Sequence, residues 1–200
     1  MATIGADKGD GLTVGVAPKT KFKLTTYGKL NNSVMDSLTA ATKWAKGSVA
    51  QNNSWGCDYY SFGNLQQDKA KYPNQSYESI LDAQMYNNCR SVGAYASGDS
   101  PTKIKNFVNA LDDFQKTGVV VWANPNNLKG NLSIAGPGTF EAFPEIFPKL
   151  GEAWINVVNL DLIGTKGSGT ETYRLESEKC GKVLGKYCLG GDAHGIKLPD

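Results

Sequence analysis

The run Val119-Val-Val-Trp-Ala123 constrains this chain more than any other feature. It is continuous, β-branched and aromatic, with no polar member, which is the pattern of a strand buried on both faces of a parallel sheet. Directly before it stands the clearest helix in the sequence. Thr102 to Lys116 places Ile104, Phe107, Val108, Leu111 and Phe114 on one stripe, with Thr117-Gly118 as its stop. An amphipathic helix feeding a buried strand is the repeating half of a β-α-β chain.

The rest of the sequence extends that alternation. Thr20 to Leu24 alternates apolar and polar residues after the turn at Pro18 and reads as a short strand. Val34, Leu38, Ala41, Ala45 and Val49 recur at helical spacing, with Trp44 near the same face and Asn32 or Ser33 as N-cap. Ser48 to Asn52 returns as a strand, completing one β-α-β unit, and Trp154 to Leu162 reads as a second buried strand. Between them, Cys57 to Pro101 is rich in Tyr, Gln, Asn and Ser and reads as a surface insertion. Within it Tyr77 to Tyr86 forms a short helix with Ile80, Leu81 and Met85 inward. The expected fold class is α/β, a doubly wound and mostly parallel sheet, in one domain of 200 residues.

Charge and composition then exclude function classes. Twenty-one Lys and Arg against nineteen Asp and Glu give a net charge of +2 with no basic block, so nucleic acid is not an expected partner. Hydrophobic residues at 40% and charged residues at 20% exclude wholesale disorder. No apolar stretch approaches the roughly 18 residues of a membrane span. The opening MATIGADKGDGL has neither a basic nor an apolar signal region, so the chain is expected to be cytosolic or a fragment. Four cysteines, Cys57, Cys89, Cys180 and Cys188, allow three full pairings. Cys180 and Cys188 would close a short loop, while Cys57 and Cys89 would bracket the tyrosine-rich insert, a layout suited to an oxidising compartment. With His194 the only histidine and no Cys-x-x-Cys pair, a zinc site is not expected.

Open α/β sheets place ligands at the carboxyl ends of their strands. Asn124-Pro-Asn-Asn127, following the valine strand, is therefore the first candidate site. Taken in order, several segments carry a resemblance. Met1-Ala-Thr-Ile-Gly-Ala6 followed by Gly15-Val-Ala-Pro18 resembles the stretch after the catalytic histidine of the subtilisin-like serine peptidases. Asn53-Ser54-Trp55-Gly56 is similar to that family's Ser-x-Gly edge segment. Gly118 through Asn127 resembles its valine-rich strand ending in Gly-Asn. Phe143-Pro144 through Pro148, with the strand after it, resembles the proline-marked approach to the next strand. Cys180-Gly, Cys188-Leu189 and Gly195-Ile196 resemble the autotransporter-type members.

The resemblance implies a subtilisin-like sheet, incomplete at both ends, and acyl transfer by a Ser-His-Asp triad in a secreted or cell-surface enzyme acting on peptides or proteins. By the family's count the catalytic Asp and His precede Met1 and the Ser follows Asp200. The isolated chain is then inactive, and its missing partners are the flanking parts of its own domain. The resemblance assigns Asn127 to the oxyanion hole, or Asn126 if the match shifts by one. Asn126 stands where the family has glycine. Ser54, Trp55, Gly56 and Asn126 become substrate-binding residues. No cofactor is implied. Some relatives bind calcium near Asp7 and Asp10, though the sequence lacks an Asp-x-Asp-x-Asp-Gly run with a distal Glu, and a solvated turn is the plainer reading. The alternative from another class is a non-catalytic module of similar fold that binds extended peptide along the Ser54 to Gly56 edge by β-addition.

Overall fold

The computed structural model describes residues 19–25, 28–57, 60–123 and 138–157, and the backbone of two further strands at 160–163 and 172–175. The chain is α/β. Helix α1 (Val34–Ala45) leads into strand β1 (Ala50–Asn53); helices α2 (Phe62–Lys71), α3 (Tyr77–Cys89) and α4 (Pro101–Gln115) follow. Strand β2 (Val119–Ala123), a single-turn helix α5 (Phe143–Ile146) and strand β3 (Trp154–Val157) come next, then β4 (Leu160–Ile163) and β5 (Thr172–Leu175). The first three strands form a parallel sheet in the order β1-β2-β3, and β4 pairs antiparallel with β5.

Each of the helices α1 to α4 starts where its sequence supplies a side-chain acceptor. The Ser33 hydroxyl accepts from the Asp36 amide at 3.0 Å, and Ser61 with Asn64 forms a reciprocal capping box on α2. Ser76 and Ser100 cap α3 and α4, and Pro101 occupies the first turn of α4, where its missing N–H is no loss. Asp99 adds a long-range cap. Its carboxylate accepts from the amides of Met35 at 2.9 Å and Ala96 at 2.7 Å, and from the Ser33 hydroxyl, so the turn before α4 closes the start of α1. α1 then packs chiefly on α4, with the Asp36 to Lys103 ion pair at 2.7 Å beside the contact.

The stripe expected on α4 is buried as expected, from Ile104 to Phe114. Gly118 turns the chain into β2 because a Cβ there would meet the Ser48 carbonyl at 2.6 Å and the Phe114 ring at 2.7 Å. β2 itself departs from the expectation. Val120 and Trp122 are wholly buried while Val119, Val121 and Ala123 are only half-covered, so one face of the strand is sealed and the other is not. Trp122 lies in a stack between Phe140 and Trp154, both at 5.4 Å and within 8° of parallel. Around it Met35, Leu65, Leu81, Phe107, Phe143 and Leu150 complete the core.

Three further expectations need correction. Residues Thr20 to Leu24 form no strand; Phe22 and Leu24 are exposed, and no strand among the described residues pairs with them. Helix α1 buries Val34, Met35, Thr39 and Thr42; of the expected stripe Val34 is buried and Leu38 and Ala45 pack partly against the core, while Val49 lies beyond the helix. Trp44 is 51% and Val49 84% exposed. Trp154 to Leu162 is not one strand: β3 joins the parallel sheet, while β4 turns to pair with β5.

The segment 57–101 holds two helices, α3 near the expected span and α2, which periodicity does not reveal. Their inner residues Tyr60, Leu65, Ile80, Leu81 and Met85 enter the core. A disulfide between Cys57 and Cys89 ties the ends of this helical pair together. Cys180 and Cys188 lie outside the described residues.

Candidate functional site

Strands β1 and β2 run parallel in register, with Asn53 opposite Trp122. Both therefore end at the same side of the sheet, and the chain leaves β1 through Ser54-Trp55-Gly56 next to where it leaves β2 at Ala123. This is the carboxyl edge at which parallel sheets carry chemistry. Of the residues singled out in sequence, Ser54 is exposed and its hydroxyl accepts from the Asn52 amide nitrogen at 3.2 Å. Trp55 is half-buried. Its ring meets Trp122 edge-on at 4.7 Å and Phe140 at 4.9 Å, and its carbonyl accepts from the Trp122 indole at 3.1 Å. Gly56 is half-buried against the carboxylate of Glu141, whose Oε1 lies 3.4 Å from where a Cβ on Gly56 would sit. Asn126 and Asn127, like Asp7, Asp10 and His194, lie outside the described residues.

Glu141 is the functional candidate that sequence reading passed over. It is 2% exposed on the turn that follows Gly138, and its carboxylate also packs against Gly138, with Cδ 3.1 Å from that glycine's Cβ position. Its backbone is fixed to the sheet: the carbonyl accepts from Asn156 Nδ2 at 2.8 Å, and Asn156 Oδ1 accepts from the Trp154 indole at 3.0 Å. The signal was present as a single acidic residue inside the apolar run Phe140-Glu141-Ala142-Phe143. A carboxylate is taken out of water there only at a cost of several kcal/mol before its partners are counted.

A second feature lies on the other side of β1. That edge of the sheet has no strand partner among the described residues, and a groove of about 830 Å³ runs beside it. Its walls are the half-buried Leu38 and Ala41 and the exposed Trp44 of α1, and the segment holding the exposed Phe22 and Leu24. The tyrosines of the 57–101 segment divide between roles. The Tyr60 phenol donates to Asp68 at 2.8 Å and the Tyr95 phenol to Asp82 at 2.6 Å, and burial first, then the carboxylate, pushes both well above the ordinary range. These two serve packing, whereas Tyr72 and Tyr86 are exposed. Among the described residues no group of three His, Cys, Asp or Glu side chains could hold a metal ion, and no helix is long and apolar enough to cross a membrane.

Comparison with family models, with curated proteins and with solved structures finds no match to this chain.

Proposed function

We propose that the chain is the central part of a secreted subtilisin-like serine endopeptidase, in which Ser54 to Gly56 pairs with extended substrate and Asn127, or Asn126, completes the oxyanion hole. The triad Asp, His and Ser belongs to flanking sequence. The observation that carries this reading is the parallel register of β1 and β2, which brings the Ser54 segment and the end of β2 at Ala123 to the same end of the sheet. The ordered motifs from Gly15-Val-Ala-Pro18 to Gly195-Ile196 support it, and the Cys57–Cys89 disulfide suits an oxidising, extracellular setting. In this mechanism the seryl oxygen attacks the peptide carbonyl, histidine takes its proton, and the Asn amide donates to the oxyanion as it forms.

The experiment is to read the complete coding frame across both ends. An upstream Asp and His-Gly-Thr together with a downstream Gly-Thr-Ser upholds the reading; a frame lacking them overturns it. The second reading, a non-catalytic module that binds extended peptide, is favoured by one observation: the β1 edge, without a strand partner among the described residues, beside the apolar groove of Phe22, Leu24, Leu38 and Trp44. An added strand would find hydrogen-bonding backbone on one side and apolar surface beneath. A frame without triad motifs turns the search to peptides held at that edge.

A further inference from the structure

Several large apolar side chains that stand open to solvent meet on one feature. Phe22, Leu24, Trp44 and Val49 all line the groove of about 830 Å³ beside β1. Apolar surface gathered on one face in this way marks an interaction site rather than ordinary scatter. The backbone of β1 is turned to the same groove. The Val119 amide donates to the Val49 carbonyl at 3.0 Å, while the Val120 amide turns to the Ala153 carbonyl on the other side. With Ala50 opposite Val119, alternation along the strand gives Val49, Gln51 and Asn53 to β2. Ala50 and Asn52 direct their N–H and C=O groups to the opposite edge, and both residues are exposed. The groove carries charge of one sign. Its described lining residues include Lys21 and Lys23 and no Asp or Glu. Lys23 donates to the carbonyls of Trp44 at 3.0 Å and Lys46 at 3.1 Å, whereas Lys21 is exposed and forms no ion pair with any described residue. A second copy of the chain would set like charge against like there.

We propose that the groove binds an extended acidic segment of a partner protein, added as a strand to β1 through Ala50 and Asn52, with apolar residues at alternate positions and Asp or Glu between them toward Lys21 and Lys23. This inference rests on the second reading, peptide held at the β1 edge, and names the class of that ligand. In such strand addition the main-chain hydrogen bonds give affinity to any extended peptide, and the side chains select among them. Alternate residues of the added strand point to one face, where Leu38, Trp44 and Phe22 offer apolar surface. The residues between them meet the lysines. Pairs formed in this exposed setting add little affinity each, so they set preference and encounter rate and weaken as salt is added.

The test uses the protein expressed from its complete coding frame and peptides of about six residues, a usual strand length, with Val at alternate positions and Glu, Gln or Lys between. Binding is followed by Trp fluorescence and by hydrogen exchange at the Ala50 and Asn52 amides. The Glu peptide is expected to slow both amides and to bind about 3- to 10-fold more tightly than the Gln peptide at low salt, a margin that closes at about 1 M salt. Lys21→Glu, a change at an exposed position, is expected to erase the margin while the Gln peptide binds as before. Equal binding of the three peptides, tighter binding of the Gln or Lys peptide, or a margin that Lys21→Glu leaves in place overturns the inference and leaves the peptide-binding reading intact. If no peptide binds, both fall. Amides already slow without peptide also overturn the inference, because the edge is then filled by the protein's own flanking sequence in a monomer or by a second copy in a dimer, which light scattering tells apart.

Discussion

The carboxylate of Asp99 accepts a hydrogen bond from the backbone amide of Met35 at 2.9 Å, across 64 residues of sequence. The contact joins two helices at their starts. One acceptor satisfies orphan donors at the head of α1 and the turn amide of Ala96 together.

Removing that acceptor should loosen the pair. Asp99→Ala is expected to destabilise the fold by about 1–3 kcal/mol, since buried donors lose a charged partner, while Asp99→Asn should cost less. Urea denaturation of the three proteins checks this. An Asp99→Ala midpoint equal to the parent's would show that the cap is replaced by water.

The disulfide gives a second expectation. Cys57 and Cys89 close a segment with a separation of 32 residues. Loop-closure entropy for such a ring amounts to about 3–4 kcal/mol. Reducing agent, or the double change Cys57→Ser with Cys89→Ser, should lower stability by that order, seen as a lower melting temperature. The loss should appear first in α2 and α3, whose amides would exchange faster than those of α4.

Alkali should also weaken the protein. Tyr95 is fully buried and its phenol donates to Asp82, so burial and that carboxylate hold its folded-state pKa above the ordinary 10.0. A raised pKa contributes stability that is fully present below the unfolded value and is lost as pH rises beyond it. Stability is therefore expected to be level up to about pH 10 and to fall above it. Tyr95→Phe should flatten that slope and cost about 1 kcal/mol at neutral pH for the lost hydrogen bond. Tyrosinate absorbance followed during alkaline titration checks both statements.

The oxyanion assignment has its own signature. In the enzyme from the complete coding frame, Asn127→Ala is expected to lower kcat by about 10²–10³ with little change in KM, because the donated bond strengthens only as charge develops. The same change at Asn126 distinguishes the two registers. A negligible effect at both positions would remove the oxyanion role from this loop.

The elements differ in how far sequence disclosed them. α4 was legible because local pattern and tertiary environment agree, its five-residue apolar stripe needing no distant information, whereas the valine run marked β2 as a strand but not that one of its faces is only half-covered. The 20–24 segment was not, since alternation becomes a strand only beside a partner and none stands among the described residues. α1 was placed correctly and its face only in part: Val34, Leu38 and Ala45 meet the core as expected, but Met35, Thr39 and Thr42 do so as well, the threonines with hydrogen bonds to the Met35 carbonyl and from Gln51. α2 escaped notice because Phe62 and Leu65 are its only buried residues and its start is marked by Ser61-x-x-Asn64. At the candidate site, the place of Ser54 to Gly56 at the end of a strand was legible from the run before them, whereas Glu141 was hidden in an apolar run whose approach to Gly56 only folding creates.

The central claim, a serine peptidase built around this segment, is tested most directly by expressing the complete coding frame and exposing it to a serine-directed fluorophosphonate. The account predicts stoichiometric covalent labelling at a serine beyond Asp200, with loss of peptide hydrolysis in proportion. A full-length folded protein that neither reacts nor cleaves any peptide would contradict it.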